Sequence, residues 1–284
     1  MKLHENEFIA EYAESKLAVA GALLFVIFIL LALAPSIFSS QNPYDLRQLA
    51  LKNSFLPPGS GFLLGTDGQG RDILSAILYG LRISLFVGVA STLLSVFIGL
   101  LAGLISGYCG GLIDTAIMRL ADLQLSFPAI LIALIIMALW GQGISKIIIA
   151  ITVVNWVYYA RTARGSVLAE KEKDYVQAAQ AMGMRAPVII IGEIMPNVLA
   201  PIIVIATVRI ANAIILEATL SFLGLGVPIT RPSLGALIAN GYQILFSGYW
   251  WVSVFPGLVL MLVVLSINLV GDRLRDVMNP RLKR

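Results

Sequence analysis

Cysteine, histidine and charge are scarce in this sequence: one Cys, one His, and 13% Asp, Glu, Lys and Arg in 284 residues. A lone Cys109 forms no internal disulfide, and a single His4, in the N-terminal tail, cannot assemble a clustered zinc or haem ligand set, so no metal site is expected. An intramembrane hydrolase would need a serine–histidine or paired-aspartate centre, and the one histidine stands in the N-terminal tail. Gly-x-x-x-x-Gly-Lys-Ser/Thr occurs nowhere, so the chain has no phosphate cradle of its own and is expected to hold no cofactor.

What is present is apolar. Hydrophobic residues make up 58% of the chain, and the mean hydropathy is +0.89, far from a soluble domain. A bilayer core takes about 20 apolar residues per helix, and residues 17–44, 83–113, 123–145 and 232–271 carry no charge. Two weaker stretches are "GISKIIIAITVVNWVYYA", uncharged over 147–160, and residues 197–220, the latter interrupted by Arg209 and Glu217. The pattern predicts an all-α integral membrane protein with six spans, near 17–38, 84–107, 115–139, 144–163, 197–220 and 250–271. The first, "LAVAGALLFVIFILLALA", is read as a retained span, because Glu5, Glu7, Glu11 and Glu14 precede it where a cleaved leader has basic residues.

Lysine and arginine bias orients the spans. With the N-terminus inside, the cytoplasmic side collects twelve: Lys2, Lys16, Arg161, Arg164, Lys171, Lys173, Arg185, Arg273, Arg275, Arg281, Lys283 and Arg284. The opposite side collects six: Arg47, Lys52, Arg71, Arg82, Lys146 and Arg231. Both termini are therefore expected in the cytoplasm. The net charge of +4 is loop charge and offers no support for nucleic-acid binding.

Ionisable residues inside a membrane are costly and point to function. Arg119 and Asp122 are expected to pair on one helical face. Arg209 and Glu217 lie about 12 Å apart along a helix. With Asn212 they are candidates for lining a path or pairing with another subunit. A stand-alone ion-coupled carrier, the alternative reading, would hold more buried carboxylates and broken helices near midplane. Gly99, Gly103 and Gly107 form a small-residue stripe suited to close helix packing. "FLLGTDGQGRDILSAILYGLRISL" reads as an amphipathic helix capped by Thr66 and Asp67, lying on the outer surface as an anchor or as a docking surface for an external partner.

Between the fourth and fifth spans stands "DYVQAAQAMGMRAPVIIIGEIMPN", residues 174–197. Asp174 and Gln177 fit a capping box, so a helix should start at Asp174. Ala178, Ala179, Ala181 and Met182 favour it, Gly183 supplies a left-handed stop, and Pro187 suits the first turn of a second short helix. "VIII" packs toward the membrane, Pro196 breaks the helix, and Asn197 begins the return. A connector of this length suggests more than a link.

"QAAQAMG" followed by "IMP" resembles the EAA loop of permease subunits of binding-protein-dependent ABC importers. "LGTDGQGRD", "YGLRISL", "GYCGGLID", "MRLADLQLSFP", "SFLGLG" and "GDRLRDVMNPRL" agree, and together they are similar to the second permease of dipeptide, oligopeptide and nickel importers. The resemblance divides the chain into an N-terminal tail, first span and external segment (1–61) and a permease core (62–284) with a coupling loop at 166–195. It implies a bacterial inner-membrane protein working with a homologous second permease, two cytoplasmic ATPase subunits that bind the ATP, and an external solute-binding protein. Peptide is the favoured substrate, with nickel behind it. The coupling residues it implies are Asp174, Gln177, Ala178, Ala179, Gly183 and Pro196. Gln177 stands where the family has glutamate, and Met195 where it has leucine.

Overall fold

A computed structural model describes residues 11–48, 50–228, 230–231 and 233–278. His4, Lys2, Glu5, Glu7, Arg281, Lys283 and Arg284 lie outside the described residues. Nine helices of eight residues or more carry the fold among those described: α1 (Lys16–Leu33), α2 (Ile73–Cys109), α3 (Gly111–Leu125), α4 (Ala129–Trp140), α5 (Ile144–Lys171), α6 (Asp174–Ala181), α7 (Met195–Phe222), α8 (Leu234–Tyr242) and α9 (Trp251–Val277). Five segments are long and apolar enough to cross a bilayer, namely α1, α2, α5, α9 and residues 186–222, and the bent pair α3–α4 makes a sixth if counted as one span.

The third span differs from the straight helix expected over 115–139. It is broken at Ser126–Pro128, where α3 and α4 meet at 89°. Pro128 has no N–H to continue the ladder and biases Phe127 away from helical backbone, so α3 ends where Ser126 N–H closes back on the carbonyls of Asp122 and Leu123.

The second span differs too. Residues 73–81 form no separate surface helix; they are the first turns of the 37-residue α2, about 55 Å long. Asp72, not Thr66 or Asp67, is the cap, its carboxylate accepting from Leu74 N and Ser75 N. Ile73 through Leu81 are buried except Leu74, so the stripe faces protein on nearly every side. "GTDGQGRD" is a tight turn folded over this end of the bundle. Asp67 and Arg71 form a buried ion pair at 2.7 Å, Trp251 Nε1 donates to Thr66 O at 3.1 Å, and Gly70 has φ +73° with Ala50 O only 2.1 Å from where a Cβ would stand.

The glycine stripe does what its spacing predicts. α2 packs most extensively on α5, and a Cβ on Gly99 or Gly103 would lie 2.4 Å from Trp156 O or 2.5 Å from Ala160 O. Backbone therefore meets backbone. α8 was not expected: it begins at the Ser233 cap and packs between α7, α9 and the start of α2, a short element hidden in the uncharged run that precedes the last span.

One end of the bundle gathers several element termini. Arg273 near the end of α9 donates to Glu11 O and lies 3.6 Å from Glu14, just before α1. Lys171 at the end of α5 donates to Tyr108 O at the end of α2, 2.8 Å away. The α5–α7 connection, which contains α6, lies at this same end.

Candidate functional site

α6 starts at Asp174 and ends at Ala181, as its composition implies. The expected capping box is not formed. Lys173 is the N-cap, without a side-chain bond, and Gln177 Nε2 donates instead to Glu172 O at 3.1 Å. Asp174 sits in the first turn, where its charge favours the positive end of the helix dipole. The stop is as expected: Gly183 has φ +73°, Met184 N–H bonds Ala179 O at 3.1 Å, and Gly183 N–H bonds Gln180 O at 3.0 Å. This double closure is the Schellman arrangement.

The two faces of α6 differ sharply. Val176 and Ala179 are buried in a cluster with Leu104 of α2, Val167 of α5 and Ile189, Ile194 and Val198 beyond the turn. Ala179 is thus turned toward its own chain, a correction to its expected place on a docking face. Asp174, Gln177, Ala178, Gln180, Ala181 and Met182 are exposed, with Met182 74% exposed. Small-to-large periodicity cannot say which alanine faces inward; neighbouring helices decide it.

Polar contacts brace α6 against both flanking spans. Tyr175 Oη donates to the Glu170 carboxylate of α5 and accepts from Asn197 Nδ2 of α7 at 3.1 Å. The bond to Glu170, with burial second, pushes the phenol up to about 12. Lys173 Nζ adds an ion pair to Glu170 at 2.6 Å.

Pro196 does not break the chain's path. Residues 186–222 run on as one apolar segment, through a short turn at Ala186–Val188 with Pro187 at its start and a π-helical turn at Ile189–Ile194, where Met195 N–H reaches Ile190 O. Proline lacks the N–H an α-helix would aim at Gly192 O, and its ring would press on that carbonyl. The widened turn immediately before makes the room. The fifth span therefore begins near Ala186, not Asn197.

Arg209, Asn212 and Glu217 part company. Arg209 and Asn212 line a cleft of about 740 Å³ with Thr162, Asn197, Arg275 and Met278, between α5, α7 and α9. The Arg209 guanidinium carbon lies 3.4 Å from the Tyr158 ring centroid. Glu217 is fully buried and stands apart from this cleft. It accepts from Ser84 Oγ at 2.8 Å and Ser221 Oγ at 2.7 Å, while Ser84 Oγ accepts from Leu234 N at 3.3 Å. Glu217 therefore joins α2, α7 and α8 within this chain, and neither a path nor a subunit contact is needed to explain it.

Arg119 does not pair with Asp122. Asp122 bonds Arg161 of α5, and Arg119 is exposed. The stronger tie, unread in the sequence, is Arg164 of α5, whose Nε and Nη2 grip Asp114 of α3 at 2.5 and 2.6 Å. Ser106 Oγ donates to the same carboxylate at 2.5 Å. Forked pairing of this kind fixes orientation as well as distance. Asp114 is the acid of "GYCGGLID", the one local signal that marks it.

A bundle of apolar helices with a short, braced helix at the α5–α7 turn defines a multi-pass membrane protein with an element presented at one end. The chain belongs to the family of binding-protein-dependent transport system inner membrane components, whose profile matches residues 95–284. It is 37% identical over 95% of its length to the dipeptide transport system permease protein DppC of Bacillus subtilis (strain 168), covering 84% of that protein. It is 40% identical over 93% of its length to DppC of Haemophilus influenzae (strain ATCC 51907 / DSM 11121 / KW20 / Rd), covering 92%. The oligopeptide transport system permease protein OppC of Bacillus subtilis (strain 168) is 37% identical over 96% of this chain and 88% of its own. Among solved structures, a chain of the inward-facing MetNI methionine ABC transporter superposes with a TM-score of 0.57 at 21% identity, over 71% of this chain and 96% of that one, a likeness of fold. The chain is a transport permease subunit of the bacterial inner membrane.

Proposed function

We propose that this chain forms half of the translocation pathway of an ATP-driven, binding-protein-dependent importer of di- or oligopeptides. A homologous second permease supplies the other half, two ATPase subunits bind and hydrolyse the ATP, and an external solute-binding protein delivers the peptide. The observation that carries the reading is the near full-length similarity to dipeptide and oligopeptide permeases, supported by the exposed face of α6. In this reading both termini and α6 are cytoplasmic. Gln177, Ala178, Ala181 and Met182 seat in a cleft on the ATPase, while Val176 and Ala179 tie the helix to α2, α5 and α7. Closure of the ATPase pair then moves those spans through α6, because the Tyr175 bonds and the apolar cluster leave little slack between them. Arg209 and Asn212 face the path. The chain by itself neither binds nor hydrolyses ATP, since it offers no backbone cradle with a lysine for the phosphates.

The test is purification of the tagged chain in mild detergent followed by reconstitution. ATPase subunits and a second permease should co-purify, and binding-protein-dependent dipeptide uptake should require ATP. An isolated chain that transports on an ion gradient, or hydrolysis that tracks this polypeptide alone, would sink the proposal.

A further inference from the structure

We infer that Arg209, held against Tyr158, is the site in the cleft that receives the terminal carboxylate of the transported peptide. The inference rests on the peptide-importer reading above and names the substrate group one residue recognises.

Depth is the first argument. At ~1.5 Å per residue, Arg209 lies about 20 Å along α7 from Phe222, within the apolar segment 186–222, and Tyr158 stands one turn before Arg161 on α5. With about 20 Å of α7 between it and the far end, Arg209 stands inside a hydrocarbon core of about 30 Å, toward the end that carries α6, where Thr162 and Arg275 also line the cleft. A permanent cation there is expensive, and such residues face a bundle interior or a water-filled cavity and find an anion. Arg209 does face a cavity, the cleft of about 740 Å³. None of the ion pairs among the described residues includes it, and no Asp or Glu lines the cleft.

Geometry is the second argument. A carbon-to-centroid separation of 3.4 Å allows only a face-to-face stack, since an edge-on guanidinium would drive a nitrogen into the ring. Stacking occupies the flat face through the ring quadrupole and leaves the planar fork of N–H donors unused. That fork matches a carboxylate. The stack also holds the side chain in place before a ligand arrives, which lowers the ordering cost of binding. Asn212, on the next turn of α7, and Thr162 of α5 add neutral donors and acceptors suited to a peptide backbone.

Selection by charge follows from the rest of the lining. Arg275 is the other ionisable group there, also a cation and toward the end of the cleft where α9 finishes. Without carboxylates, the cleft offers only neutral acceptors to a ligand's ammonium group and two guanidinium groups to its carboxylate. A zwitterionic peptide therefore enters this half of the path carboxylate-first toward Arg209, and one with an amidated C-terminus loses the contact.

The experiment uses the assembled complex in lipid nanodiscs without the external binding protein, so that the latter's own selectivity does not enter. Binding of a labelled dipeptide and of its C-terminal amide is measured for wild type, Arg209→Lys and Arg209→Gln, each first shown to assemble by size-exclusion chromatography. Wild type should bind the free dipeptide about tenfold more tightly than the amide, as one charge-assisted forked contact implies. Arg209→Lys should keep the direction of that preference at a smaller ratio, since an ammonium keeps the charge and lacks the fork. Arg209→Gln should bind both ligands equally and weakly, a loss of discrimination that a purely structural role would not produce. Equal preference in wild type and Arg209→Gln overturns the inference. So does the absence of saturable dipeptide binding to wild type in a complex that still imports dipeptide when reconstituted with its binding protein. Failure of the wild-type complex to import any peptide overturns the underlying reading and the inference with it.

Discussion

Ala178 and Ala179 are adjacent in sequence and opposite in consequence. Ala179 is 3% exposed within the cluster that ties α6 to α2, α5 and α7, so Ala179→Trp should overpack that cluster at a cost of about 1–3 kcal/mol. It should lower the melting temperature and abundance of the chain whether or not an ATPase is present. Ala178→Trp changes the exposed face, so it should leave both near wild type while weakening ATPase association about tenfold or more. Thermal unfolding of the chain alone and pull-down of the ATPase separate the two, and a reversed pattern would exchange the faces assigned here. Gly183 is a different case. Nothing lies within 4 Å of a Cβ placed there, so Gly183→Val suffers from its positive φ alone, about 1–2 kcal/mol. Gly183→Asn should recover most of the coupled ATPase activity, because asparagine tolerates this backbone. If valine couples ATP hydrolysis to uptake as well as glycine does, the Schellman stop has no mechanical role.

At the scale of the element, the α2–α5 pair is the rigid member that α6 leans on. Gly103→Val would place its Cβ 2.5 Å from Ala160 O and from Ala163 Cβ and 2.9 Å from Arg164 N, atoms fixed in another helix's backbone or beside it. The helices must separate, which also loosens the Arg164–Asp114 grip. Gly165→Ala is the control on α5, with nothing within 4 Å of its Cβ and a helical gain of about 0.4–1 kcal/mol. Gly103→Val should lower the melting temperature by several degrees and Gly165→Ala should hold or raise it, measured on detergent-solubilised protein. Equal effects would mean that the stripe is not the packing surface. This element was legible in advance, since a four-residue glycine repeat in an apolar helix has few other uses. The α3–α4 break was less so. Pro128 is visible in the sequence, but an apolar run of ordinary span length surrounds it, and only the placement of α4 against α5 shows that the chain turns there instead of kinking.

For the whole molecule, the grouping of termini yields a topology to test. Lys16, Lys171, Lys173, Arg185, Arg273 and Arg275 cluster around the end that carries α6, whereas Arg47, Lys52 and Arg71 belong to the segment folded over the opposite end. After replacement of the exposed Cys109, a cysteine at Ser60 should react with an impermeant thiol reagent in intact cells whose outer barrier is opened. One at Met182 should react only after the inner membrane is permeabilised. The opposite pattern would place α6 outside and end the coupling argument.

Composition and periodicity determined what solvent this protein lives in, that the chain crosses it several times and where one helix must start and stop, because each depends on local quantities: apolar length, a positive-φ glycine, a charge bias. The start of the fifth span is not legible in the sequence, since a proline's effect depends on whether the preceding turn can widen, as Ile189–Ile194 does. The tertiary structure alone decided which alanine of α6 faces inward, that Asp114 and Asp122 take Arg164 and Arg161, that Glu217 is consumed by serines from α2 and α7, and that Arg209 is left facing a cleft. These are pairings between residues remote in sequence, and a buried charge acquires its meaning only from the group that meets it across the packed helices.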